Sequence, residues 1–139
     1  MVQCSKCGRE AVTFIRYNGS HLCASHFCEF VERRVKKELR DQVDLGDTKH
    51  IAVAVSGGKD SLAALLLVHD ILGERRDVTI SAITVDEGIT GYRPEALRRA
   101  KQLSGRLGIE HHVIAFEDHV GVTMDETSSC LGERTPCAY

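Results

Sequence analysis

The stretch His50-Ile51-Ala52-Val53-Ala54-Val55-Ser56-Gly57-Gly58-Lys59-Asp60-Ser61 decides the fold. Its first six residues form an apolar run of strand length without strict alternation, as a parallel strand buried on both faces should. Two glycines break the run. Leu62, Leu65, Leu66 and His69 then recur at helical spacing, which predicts a helix over Ser61–Leu72. Working outward, Val78–Val85 reads as a second strand and Pro94–Leu107 as a helix with Pro94 in its first turn. Gly108 ends that helix, and His112–Phe116 reads as a third strand. The order β-α-β-α-β requires a parallel sheet with right-handed crossovers.

The hexapeptide Ser56–Ser61 sits where a buried strand ends and a helix begins. Backbone N–H groups at that junction lack intrahelical partners, and the helix dipole favours an anion. Gly57 and Gly58 let the backbone approach a phosphate closely. Ser56 and Ser61 offer hydroxyl donors, and Lys59 adds charge. The pattern is not a Walker A loop, because Val53 stands where the first glycine would be. Nor is it a dinucleotide fingerprint, since no G-x-G-x-x-G occurs.

Ser-Gly-Gly-Lys-Asp-Ser after a strand resembles the PP-loop ATP pyrophosphatases. The resemblance implies an α/β fold, a parallel sheet with helices on both faces. It also implies ATP as substrate, with Ser56, Gly57, Gly58, Lys59, Asp60 and Ser61 around its pyrophosphate. Mg²⁺ is expected against the phosphates, and Asp60 is the nearest carboxylate, with helix capping as its structural alternative. Strand ends should flank the nucleotide, which makes Asp86 a further cofactor-binding candidate. Gly91-Tyr92-Arg93 is a weaker candidate for substrate contact.

Cys4-x-x-Cys7 and Cys23-x-x-His26 are two chelating pairs separated by a hairpin signal at Asn18-Gly19. Four tetrahedral N/S ligands suit a structural Zn²⁺, and so short a segment cannot bury enough apolar area to fold unaided. Cys28 could replace His26, and His21 is a weaker competitor. Ala11–Ile15 reads as a strand and Tyr17–Ser20 as a turn. Phe27, Val31, Val35, Leu39 and Val43 then recur every four residues, predicting a connecting helix that runs to Leu45 and stops at Gly46.

A zinc module, a helix and then this loop are similar to the tRNA two-thiolation enzymes of the PP-loop class. That resemblance implies adenylation of the C2 oxygen of a tRNA uridine by ATP, followed by sulfur transfer to give 2-thiouridine. It implies a 4Fe-4S cluster held by later cysteines. Pro136-Cys137-Ala138-Tyr139 resembles the start of the family's Cys-x-x-Cys pair, which makes Cys137 an iron–sulfur ligand. Cys130 does not match that spacing. Lys59, Asp60 and Cys137 are the expected catalytic residues. The implied partners are tRNA, a sulfur donor such as a ubiquitin-like thiocarboxylate carrier, and a second copy in a homodimer. An ATP-dependent amide or C–N ligase, and a non-catalytic zinc and nucleotide-binding fragment, are the alternatives.

The expected organisation is a zinc module at 1–28, a connecting helix at 29–48, and the N-terminal part of a PP-loop domain at 49–139, truncated or completed by another chain. The 139 residues are 42% hydrophobic and 27% charged, a globular composition. No apolar run approaches the roughly 20 residues that span a bilayer, and no apolar leader precedes Cys4, so a cytoplasmic location without membrane contact is expected. Net charge is −2, which gives no bulk electrostatic case for nucleic-acid binding. The run Arg33, Arg34, Lys36, Lys37, Arg40 is nonetheless either a solvated helix face or a phosphate-contacting one.

Overall fold

The Asn18-Gly19 turn joins two short strands, β1 (Thr13–Ile15) and β2 (Ser20–Leu22), paired antiparallel with Phe14 opposite His21. Gly19 takes φ +68°, and its N–H bonds the Ile15 carbonyl at 2.9 Å. The Asn18 side chain accepts the Ser20 N–H, the self-bonding turn chemistry expected of asparagine. The computed structural model describes residues 1–89 and 93–131.

Helix α1 (Ala24–Gln42) follows β2 directly, with Cys23 as its N-cap. It stops earlier than Gly46. Val43 is already extended, and the Asp44 carboxylate accepts the Gly46 N–H, turning the chain away before the glycine is reached. Two compact units result, Met1–Asp47 and Thr48–Tyr139, so α1 belongs with the hairpin. The buried residues of the first unit are Cys4, Leu22 and Cys23, with Ile15, Phe27 and Phe30 packed on them.

The second unit holds β3 (His50–Ala54), α2 (Lys59–Leu72), β4 (Thr79–Asp86), α3 (Arg93–Leu107), β5 (Glu110–Ala115), α4 (Phe116–Val120) and α5 (Met124–Leu131). The three strands are parallel in the order β3-β4-β5. Two right-handed crossovers stepping the same way set α2 and α3 side by side on one face, and the two helices touch. Between them and the sheet lies the core of Val55, Leu65, Ala82 and Ala100, with Val53, Leu62, Leu103, Leu107 and Ile109 packed around it. Side chains of the other parity look away from this core. On that side His50 bonds the buried Ser81 at 2.9 Å, and Val85 and Ile114 are exposed. Among the described residues β3 is an edge strand, and no helix is long and apolar enough to cross a membrane.

Candidate metal centre and phosphate loop

Cys4 opens a tight turn in which its carbonyl accepts the Gly8 N–H and its N–H bonds the Arg9 carbonyl. Gly8 takes φ +72° to close it. The Ser5 N–H reaches the His21 carbonyl and fastens the turn to β2. The second pair is one helical turn long, with Cys23 at the N-cap and His26 in the first turn of α1. The ligand atoms of Cys4, Cys7, Cys23 and His26 all lie within 4.8 Å of one another. Cys7 Sγ and Cys23 Sγ are 3.8 Å apart, and His26 Nδ1 is 3.3 Å from Cys4 Sγ and 3.4 Å from Cys23 Sγ. Tetrahedral bonds of zinc length give edges of about 3.8 Å for sulfur–sulfur and about 3.5 Å for sulfur–nitrogen. The four residues therefore fit one tetrahedral ion. Cys28 is exposed and outside the cluster, and His21 stacks on Phe14 instead.

The site is electrostatically prepared. Burial pushes the Cys4 thiol up, but N–H groups of Cys23, Lys6 and Cys7 and the His26 ring outweigh it and bring its pKa down to about 5. The Arg9 side chain lowers Cys7 in the same sense. The Cys4 thiol raises the pKa of His26 above its ordinary value. An arriving cation would meet the Cys4 thiolate already formed and displace the imidazole proton, since a ligating histidine is neutral.

The loop of the second unit is held by its own hydroxyls. The Ser61 hydroxyl donates to the Gly58 carbonyl at 3.0 Å. Its lone pairs accept the Ser56 N–H at 3.2 Å and the Ser56 hydroxyl at 3.1 Å. The two glycines play different parts. Gly57 has φ +86°, and a Cβ there would collide with the Ala96 carbonyl in α3. Gly58 is ordinary extended backbone whose Cβ position meets only the Ser56 Oγ, at an ordinary contact distance of 3.6 Å, and it serves as the N-cap of α2. The first intrahelical bond is Leu62 N–H to Gly58 O. The N–H groups of Lys59, Asp60 and Ser61 thus carry no partner among the described residues and face outward as donors. Lys59 and Asp60 touch at 2.6 Å but are 89% and 90% exposed, so the pair holds Lys59 only weakly.

A cleft of about 220 Å³ adjoins the loop, lined by Ser56, Ser61, Ala54, Ile83, Val85 and Glu87. Asp86, the expected strand-end carboxylate, is not among the cleft-lining residues. Its side chain accepts the Gly88 N–H at 3.1 Å. Glu87 is the acid in the cleft. Strand alternation carried that signal, because Ile83, Val85 and Glu87 share one parity. The Glu87 carbonyl accepts the Met124 N–H, which ties it to the start of α5.

A buried relay supports the loop from below. The Thr84 hydroxyl donates to the Val55 carbonyl at 2.6 Å. Its single proton is then used, so Nε2 of His111, 2.7 Å away, must be the protonated nitrogen and donate to Thr84. Among the described residues Nδ1 is left buried and unpartnered. Burial lowers the His111 pKa, with Lys101 and His112 adding to the shift, consistent with a neutral ring.

Cys137, Gly91 and Tyr92 lie outside the described residues, as do the side chains of Arg93 and Cys130.

Comparison with known proteins adds to this geometry. The chain is 35% identical to the tRNA 2-thiolation protein NcsA of Haloferax volcanii over 99% of its own length and 45% of that protein. It is 30% identical to the tRNA-5-methyluridine(54) 2-sulfurtransferase of Pyrococcus horikoshii, over 99% of the chain and 42% of the relative. The solved U34-tRNA thiolase NcsA from Methanococcus maripaludis, with its 4Fe-4S cluster, superposes with a TM-score of 0.82 at 30% identity. It does so over 99% of this chain and 46% of that one. The chain therefore spans less than half the length of the relatives it matches. Residues 3–28, which contain the four candidate metal ligands, match the family described as 2-thiouridine synthetase TtuA, N-terminal LIM domain. Residues 28–129, from the first turns of α1 through the serine-glycine loop and into α5, match the PP-loop domain, and the chain belongs to that family.

Proposed function

We propose that this chain is the zinc-binding and ATP-binding part of an ATP-dependent tRNA 2-thiolation enzyme of the cytoplasm. The observation that carries the reading is the pairing, in one polypeptide, of a tetrahedral Cys₃His set with a hydroxyl-braced PP-loop. Close relatives bearing tRNA thiolation names support it.

Cys4, Cys7, Cys23 and His26 would hold Zn²⁺, whose role is to complete a core that has only one fully aliphatic buried residue, Leu22. In the second unit, ATP would place its pyrophosphate against the N–H groups of Lys59, Asp60 and Ser61. The Ser56 and Ser61 hydroxyls would turn towards it. Lys59 would swing from Asp60 to the phosphates, and Asp60 and Glu87 would be the carboxylates offered to Mg²⁺. The uridine C2 oxygen attacks the α-phosphorus and pyrophosphate leaves. Charge developing on the pyrophosphate is met by fixed N–H dipoles, which need no reorganisation during the reaction. Sulfur then displaces AMP from C2. Cys137 is proposed as a ligand of an iron–sulfur cluster like that named for the Methanococcus neighbour, whose chemistry is sulfur delivery. The donor is proposed as a thiocarboxylate carrier and the assembly as a homodimer.

The test is anaerobic formation of 2-thiouridine from tRNA, ATP and a sulfide source by the full-length protein. Lys59→Ala and Ser61→Ala should each cost at least tenfold in rate while leaving zinc bound. Unaltered rates in both would refute the loop assignment. Mapping the modified base then separates the two target classes, since the named neighbours act at U34 and at position 54.

A further inference from the structure

Helix α1 carries cations on the side away from its apolar stripe. With 3.6 residues per turn, Arg33, Lys36, Lys37 and Arg40 fall within about 100° of arc and about 10 Å along the axis. All four are exposed. The opposite side presents Phe27, Val31, Val35 and Leu39, each half-buried. Arg34, the fifth cation of the run, is set apart. It donates to the Tyr17 hydroxyl at 3.4 Å and lies over the Tyr17 ring at 5.5 Å.

The stripe is uncompensated. Arg33, Lys36 and Lys37 have no carboxylate within ion-pair distance among the described residues, although Glu29 and Glu32 stand one turn before Arg33 and Lys36. Arg40 meets Asp41 only at 3.9 Å and stays 75% exposed. Helix α3 shows the contrary arrangement, with Glu95 taking both Arg98 and Arg99. The helix that carries the stripe begins at two of the four candidate metal ligands, Cys23 and His26. A chain of net charge −2 thus concentrates four exposed cations on one face of a helix, three of them without an ion-pair partner among the described residues.

We propose that this face of α1 is a docking surface for the phosphate backbone of the tRNA. The inference rests on the tRNA reading above and assigns the contact to named residues. Four point charges along two turns read backbone, not bases, so the contact is independent of RNA sequence and sensitive to salt. Each phosphate contact contributes about 0.7–0.9 to the slope of log K against log salt. Four contacts make affinity fall by about a hundredfold more between 50 and 200 mM salt than it would without them.

The experiment measures binding of an unmodified tRNA transcript by the zinc-loaded, full-length protein across that salt range. The comparison variant is R33Q/K36Q/K37Q/R40Q, in which glutamine keeps helix propensity close to that of the residues replaced. The expected result is a Kd at least tenfold weaker at 50 mM and a salt slope shallower by about 3. The pair variants R33Q/K37Q and K36Q/R40Q should each lose about half of that slope. They carry the test if the fourfold variant loses its zinc. An unchanged slope with tRNA still bound overturns the stripe alone. Absence of tRNA binding by the unsubstituted protein overturns the tRNA reading with it. Binding to anionic-lipid vesicles that the fourfold change abolishes, with tRNA affinity intact, would reassign the stripe to a membrane surface and overturn the proposal.

Discussion

Replacing Gly57 by alanine puts a methyl group into α3. The backbone there has φ +86°, and the new Cβ would overlap the Ala96 carbonyl oxygen and lie 2.7 Å from the Ala96 Cα. Neither atom can swing aside, because Ala96 is 3% exposed within a packed helix. A left-handed conformation costs a residue with a Cβ about 1–2 kcal/mol. Forcing a methyl group into packed backbone adds about 1–3 kcal/mol. The sum, about 2–5 kcal/mol, is a large share of what an ordinary domain possesses. Gly58→Ala is the internal control. Gly58 is ordinary extended backbone, its Cβ would sit 3.6 Å from the Ser56 Oγ, and only its N-cap preference is lost. That change should cost about 1 kcal/mol or less. Urea unfolding followed by circular dichroism gives both numbers, and calorimetric titration with ATP gives the loop's function. The expected pattern is a large loss of stability and of ATP affinity in Gly57→Ala, with near-native unfolding in Gly58→Ala. Equal midpoints for the two variants would refute the reasoning, since they would mean the loop does not sit against α3 as described.

Thr84→Val keeps shape but leaves the Val55 carbonyl and the His111 Nε2–H without their partner. It should destabilise by about 1–3 kcal/mol by thermal denaturation, and Thr84→Ser should restore most of that. Leu65→Ala removes a side chain with 0% exposure from the main core and should cost about 2–5 kcal/mol in urea. Any residual amide protection in the metal-free first unit should decline as pH falls from 9 towards 5. The folded Cys4 pKa of about 5 lies below its ordinary value of 9.0, so its contribution is present above the latter and is lost on approach to the former. His26, shifted upward, works in the opposite sense, contributing below its ordinary 6.5 and fading as pH rises through its folded value. Metal competition against a chromophoric chelator should show weaker zinc binding at pH 5.5 than at 7.5, because bound thiols and imidazole must shed protons.

What was legible in the sequence was chemistry confined to a short span. Ser56–Ser61 and the pairs Cys4-x-x-Cys7 and Cys23-x-x-His26 carry their geometry in their spacing; the fold draws the four chelating side chains together and sets Ser56–Ser61 at the start of α2. The β-α-β-α-β order was equally local, because apolar runs and glycine stops mark each strand and helix. Contacts between segments far apart in the chain were not legible. Nothing near Gly57 announces that Ala96 will lie against it, so its role read as phosphate access rather than helix packing. Thr84 and His111 are 27 residues apart, and only the parallel register puts them on one face. One miss was avoidable. Thr123-Met124-Asp125-Glu126 is a capping box, in which the Glu126 carboxylate accepts the Thr123 N–H at 2.8 Å and the Thr123 hydroxyl accepts the Glu126 N–H at 3.2 Å. That pattern announces α5, and its consequence reaches the cleft. Thr123 packs where a side chain at Gly88 would stand, and Met124 bonds the Glu87 carbonyl.

The two units hold themselves together by different means, and this determines how each should respond to a chelator. In the first, two of the three buried residues are the thiols of Cys4 and Cys23. Removing the metal leaves ionisable sulfur in the middle of a core with one aliphatic side chain, too little apolar burial to offset chain entropy. In the second, Val55, Leu65, Ala82 and Ala100 are buried without any metal ligand among them. Amide exchange should therefore show protection lost at β1, β2 and the start of α1 on adding a strong chelator, and kept at β3, β4 and α2. Equal loss in both units would mean that the zinc centre stabilises the phosphate loop as well as its own hairpin. Retained protection in the first would mean that Leu22, Phe27 and Phe30 suffice as a core, and that the ligand set exists for something other than folding.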